Sequence, residues 1–155
     1  MRKTILLMVA TLVILGIASS VYAKFWGWEI TTLYSWESWK GEWELAGSLN
    51  NVSPYTTTLS QSFSSTSYVR ISACVGLDEV IEARIGYEAG QQITRTYTIS
   101  VSVPPYSKVY IYERWWAKYY CGSAVKYEFW EIVDAANWSA CVPKSLHYEV
   151  RDTMR

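Results

Sequence analysis

The chain has 155 residues with 14 basic and 14 acidic side chains, one histidine, and a hydrophobic share of one half. That balance argues against a nucleic-acid partner, because phosphate binding depends on clustered Lys and Arg and no such cluster occurs. Three cysteines without a CxxC pair, beside the lone His147, argue against a metal centre.

Residues 1–23 fall into the zones of a secretory signal: Arg2 and Lys3, an apolar run from Ile5 to Ile17, and the small-residue end Val21-Tyr22-Ala23. The run has 13 residues, short of the roughly 20 that a spanning helix needs. The sequence therefore predicts a signal peptide over 1–23, a single domain over 24–155, and a secreted or cell-surface location. A retained anchor is the alternative. Removing 23 residues from 155 leaves 132, enough to bury one core, with 12 basic residues against 14 acidic ones.

The Trp-rich segment 24–51 is ambiguous. Phe25 to Ile30 alternates like a strand, whereas Trp36, Trp39 and Trp43 fall at helical spacings of three and four; a hairpin turning at Lys40-Gly41 fits equally. After a loop at residues 50–54, two-residue periodicity takes over. It runs through the Ser/Thr tract 56–67 and continues in predicted strands at 69–75 and 81–87, separated by a turn at 76–79. It is clearest from Ile93 to Val103, where β-branched residues face Thr and Ser. Pro104-Pro105 must end that ladder. Lys108 to Tyr120 reads as a long aromatic strand, Cys121-Gly122-Ser123 as a turn, and Ala124 to Val133 as the returning partner. A polar loop over 134–144 with Pro143 then precedes a short strand at 146–151. The predicted class is all-β, an antiparallel β-sandwich-like single domain.

Catalytic signatures are missing. Nucleophilic chemistry would have to pass through His147, which no GxSxG or cysteine motif accompanies, and the sequence carries no phosphate-binding glycine motif and no HExxH. Glu42/Glu44 and Asp78/Glu79 could serve a secreted hydrolase only if the fold set them across a cleft. The expectation is a non-enzymatic domain without cofactor or metal. In an oxidising compartment Cys121 and Cys141 are the favoured disulfide, with all three cysteines buried and free as the alternative. Asn51-Val52-Ser53 and Asn137-Trp138-Ser139 match the glycosylation sequon.

Nine Trp, three Phe and the twelve Tyr beyond residue 23 make 24 aromatics in 132 residues, more than so small a core can hide. Exposed Trp and Tyr offer flat contact area with a hydrogen-bonding edge. Trp36, Trp39, Trp43, Trp115, Trp116 and Trp138 are the candidate contact residues for an extracellular glycan, envelope component or protein. Membrane contact is the less favoured option.

The stretch 56–120, with its Ser/Thr alternation, Val101-Ser102-Val103-Pro104-Pro105 and the aromatic strand that follows, resembles two groups. One is short exported bacterial β proteins of unassigned function. The other is the stem region of aerolysin and epsilon-toxin type pore formers, which implies a membrane-inserting hairpin as the alternative function. The uninterrupted apolar side from Tyr97 to Val103 would span about 20 Å, or some 14 Å when tilted, against an apolar band of about 25 Å.

Overall fold

The computed structural model describes residues 26–152, so the expected signal peptide lies outside the described residues. Six strands and one helix follow in the order β1 (Trp26–Asn50), β2 (Thr57–Tyr68), β3 (Arg70–Ser72), α1 (Leu77–Ile85), β4 (Gln92–Val103), β5 (Lys108–Glu128) and β6 (Glu131–Asp152). The chain is an all-β domain of two antiparallel sheets. One has the order β1-β5-β6-β3, and the other is the ribbon β2-β4.

The ribbon is built as its alternation requires. Its outward side carries five cross-strand hydroxyl pairs: Thr58/Ser102, Ser60/Ser100, Ser62/Thr98, Ser64/Thr96 and Thr66/Thr94. Its inward side brings Phe63, Ile99 and Val103 onto Leu49, Val109 and Ile111 of the large sheet. Trp115 also faces this layer and is buried, donating its indole N–H to Ser65 Oγ at 3.1 Å. The sequence placed Val109, Ile111, Trp115 and Ala117 on one side of β5, and all four are buried.

Four local readings are corrected. The described part of the segment 24–51 forms neither a helix nor a hairpin, because Trp26–Asn50 pairs with β5 along its whole length and absorbs Gly41, Glu42 and Trp43 as an irregularity between Lys40 and Glu44. The predicted strand at 81–87 is the helix α1, whose Leu77 and Ile81 are fully buried one turn apart. Gly76 and Gly86 flank it in the left-handed conformation, and Asp78 and Glu79 occupy its first turn, where acidic groups complement the helix dipole. The turn expected at Cys121-Gly122-Ser123 is the middle of β5. The reversal comes instead at Phe129-Trp130, and the polar loop predicted over 134–144 is continuous β6.

The helix packs with Ala124, Trp138 and Ala140 in a second cluster. Ala124 and the buried Ile111 lie an odd number of positions apart along a continuous strand, so α1 and the β2-β4 ribbon cover opposite faces of the large sheet. Each cover is partial, and the stretches they leave open decide where a ligand can reach the sheet.

Tyr97 links the layers. Its hydroxyl donates to Glu113 Oε2 at 2.9 Å, and its ring stacks on Phe63 and on Tyr148. Burial, reinforced by the Glu113 carboxylate, pushes the phenol well above its ordinary range. A raised acid pKa means that the fold favours the protonated form. This contribution is complete below the unfolded value near pH 10 and drains away as pH rises past it. Urea denaturation should show stability falling above about pH 10, and Tyr97→Phe should flatten that alkaline decline; an unchanged slope would refute the assignment.

Candidate functional site

The sheet face that carries the ribbon is left open beyond the ribbon's end at Tyr68. Strand register alone builds a site there. Arg70 on β3 is opposite Cys141 on β6, Cys141 is opposite Tyr119 on β5, and Tyr119 is opposite Trp36 on β1. Two residues along, the same pairing aligns Ser72, Ser139, Cys121 and Tyr34. Directly paired residues share a face, so two parallel rows cross four strands, each spanning about 14 Å at 4.8 Å per strand.

The first row carries a guanidinium, a thiol, a phenol and an indole. Trp36 is 50% exposed and lies flat on Tyr119, with ring centroids 5.6 Å apart and planes 12° from parallel. Tyr119 is fixed in turn by its hydroxyl, which donates to the Trp39 carbonyl at 3.3 Å. Burial holds its phenol above the usual range, with the Cys141 thiol adding to the effect. Tyr34 in the second row is 64% exposed, and Ser72, Ser139 and Arg70 are exposed beside it. Val69, Ala89 and Gly90 close one side, making a cleft of about 740 Å³ against the first row. That volume lies within the usual range for small-ligand sites. The arrangement offers an aromatic platform for a ring, hydroxyls as donors and acceptors, and the cation of Arg70.

The expected disulfide does not form: Cys74, Cys121 and Cys141 are free. Cys121 pairs with Ser139 while Cys141 pairs with Tyr119, which makes the two cysteines diagonal neighbours. Diagonal neighbours stand roughly 7–8 Å apart, beyond the Cβ separation a disulfide allows.

The six tryptophans proposed from the sequence are dispersed. Trp36 lies in the open rows. Trp115 is in the core under the ribbon, and Trp138 is enclosed in the α1 cluster with no hydrogen-bond partner for its indole N–H, so neither presents a contact surface. Trp39, Trp43 and Trp116 gather on the opposite face, where they largely satisfy one another. Trp39 meets Trp116 edge-on at 4.9 Å and His147 edge-on at 5.1 Å, lies tilted against Trp43 at 5.8 Å, and has Arg114 over its ring. Arg151 lies over both Trp43 and Tyr112, and Trp116 donates to Glu37 at 3.0 Å. These edge-on and tilted rings form a cluster on the part of this sheet face that α1 leaves open. Ser145 Oγ and His147 Nε2 are 3.0 Å apart on the same surface.

Sequence reasoning missed Arg70, Tyr119, Ser139 and Tyr34 because their relation exists only through the register of four strands. The available signal was Tyr34 and Trp36 at i, i+2 on a strand, which puts two exposed aromatics on one side.

No protein-family model matches the chain, and no curated protein matches it. Among solved structures it is similar to parasporin-2, a Bacillus thuringiensis toxin described as recognizing cancer cells, at 11% identity and a TM-score of 0.44, over 80% of this chain and 73% of that one. It is also similar to a lamprey immune protein at 9% identity and a TM-score of 0.45, over 82% of this chain but only 53% of that one. Likenesses this distant assign neither a family nor an activity.

Proposed function

We propose that the protein is a non-enzymatic, secreted or surface-associated domain that binds an extracellular glycan at the open rows. The carrying observation is the alignment of Arg70, Cys141, Tyr119 and Trp36 across four strands. A sugar ring presents an apolar C–H face and a rim of hydroxyls. The exposed side of Trp36, backed by Tyr119, matches the first, while Ser72, Ser139 and Arg70 match the second. The platform is preorganised, because Trp36 is stacked and Tyr119 is hydrogen-bonded before a ligand arrives.

A glycan array probed with the full chain, followed by titration of the best hit, tests this. Trp36→Ala is expected to weaken binding at least tenfold, about 1.4 kcal/mol, while the loss of its stacking on Tyr119 lowers stability by only about 1 kcal/mol and leaves the chain folded. Trp43→Ala, on the opposite face, should leave affinity unaltered. Absence of any glycan hit, or equal affinity in the Trp36 variant, would defeat the proposal.

A membrane-active, pore-forming function is the second reading, and the β2-β4 ribbon favours it: one side is a hydroxyl ladder, while the other holds Leu59, Phe63, Ile99 and Val103. Inserted in a bilayer, the hydroxyls would face a water-filled lumen and the apolar side the lipid. The Ser65/Arg95 pair interrupts that apolar side, and a cation near the midplane costs about 2–4 kcal/mol. This ranks insertion below ligand binding. Dye leakage from liposomes without glycan binding would reverse the order.

A further inference from the structure

The β5-β6 reversal is built from residues that a tight turn ordinarily avoids. Glu128 pairs with Glu131, so the loop consists of Phe129 and Trp130 alone, at φ 51° and 70°. Both values lie in the left-handed region, where two-residue hairpin loops strongly prefer Asn-Gly. Bulky side chains are rare there, and such departures cluster at functional positions. These two side chains also turn outward, 67% and 54% exposed, and the ring of Trp26 meets that of Phe129 edge-on at 5.5 Å. Ile132 and Val133, just beyond the turn on β6, are exposed as well.

We propose that this hairpin tip is a lipid anchor, seating Phe129 and Trp130 at the headgroup–acyl boundary of a zwitterionic bilayer. Three observations select lipid as the occupant. The tip projects: Trp28, opposite Lys126, is the last residue packed on the α1 cluster, and two more residues to Glu128 add about 7 Å of strand before the turn, comparable with the roughly 5–10 Å depth of interfacial burial. The surface is layered, with aromatics at the apex and the Lys126–Glu128 ion pair just behind them, the order of polarity a bilayer surface presents. The nearby charges are Lys126 against Glu128, Glu131 and Asp134, an acidic excess that repels anionic headgroups and leaves neutral ones.

This anchor is distinct from the glycan rows, since neither Trp36 nor Arg70 belongs to it. The test uses the full chain, co-sedimented with phosphatidylcholine vesicles, and the double variant Phe129→Asn/Trp130→Gly. That pair installs the turn's preferred residues, so the variant should melt no lower than wild type, and a lost interaction cannot be blamed on unfolding. The expected result is at least a tenfold drop in vesicle partitioning for the variant. Wild-type binding should persist in 1 M salt and should not rise when phosphatidylserine is added. No binding by wild type, equal binding by the variant, or binding that requires anionic lipid would each overturn the proposal. The Trp36→Ala chain should partition like wild type, so failure of the glycan reading and failure of the anchor are separable.

Discussion

Replacing Gly122 by alanine should cost about 3 kcal/mol or more and lower the melting temperature by roughly 10 °C. A Cβ built at Gly122 falls on the Thr32 carbonyl oxygen, lies 2.9 Å from the Thr32 carbonyl carbon and stands 3.0 Å from the indole nitrogen of Trp138. Backbone on one side and a buried indole on the other leave it no room. Nor can β1 simply retreat. Thr32 Oγ1 is 2.7 Å from Ser123 Oγ and accepts the Ser123 N–H at 2.9 Å, while Thr31 Oγ1 donates to the Ser123 carbonyl at 3.0 Å. Moving the strand far enough to admit a methyl group would break these bonds, each worth about 1 kcal/mol. Differential scanning calorimetry of Gly122→Ala decides the matter: a melting temperature equal to wild type would show that the close approach of β1 and β5 is not real.

The same glycine shows where the sequence stops being informative. Gly between Cys and Ser reads locally as a turn, but here it permits the close approach of a neighbouring strand, which no single-strand pattern reveals. The helix was hidden for a related reason. Ile81, Ala83 and Ile85 satisfy a period of two, while Leu77, Ile81 and Ile85 satisfy a spacing of four, and a segment this short gives neither reading enough repeats. Strand β6 is poor in β-forming residues across Ala135, Ala136 and Asn137, and it is extended because β5 supplies a partner along its length. What could be read was the side-chain alternation of β2, β4 and the first half of β5, where one dry face and one wet face leave a strong imprint. The candidate site lay beyond reach in kind, since Arg70, Cys141, Tyr119 and Trp36 become neighbours only when four strands choose a register.

Asn51 should prove the least replaceable polar residue, and its aspartate variant should be worse than its alanine variant. The side chain is almost fully buried where β1 ends. Its amide nitrogen donates to the carbonyls of Tyr55, Val103 and Pro104 at 2.8–2.9 Å, and its oxygen accepts the Ser53 N–H at 2.9 Å. One side chain thereby joins the end of β1 to the loop before β2 and to the end of β4. Asn51→Ala orphans these groups and should cost about 3 kcal/mol, given roughly 1–3 for each buried carbonyl left unpaired. Asn51→Asp keeps the shape but sets a carboxylate against three carbonyl oxygens in an almost fully buried site. The fold can relieve this only by protonating it, so the aspartate's pKa must rise on folding. The penalty is therefore complete above the folded pKa and disappears as pH falls toward the unfolded value near 3.9. Urea denaturation at pH 7 and pH 4.5 should find Asn51→Asp less stable than Asn51→Ala at the higher pH, with the gap narrowing at the lower one. A gap that does not change with pH would mean the amide donors are not what holds this junction. With both N–H groups of its amide engaged by three surrounding carbonyls, Asn51 also cannot accept a glycan in the folded protein, whatever its sequon suggests.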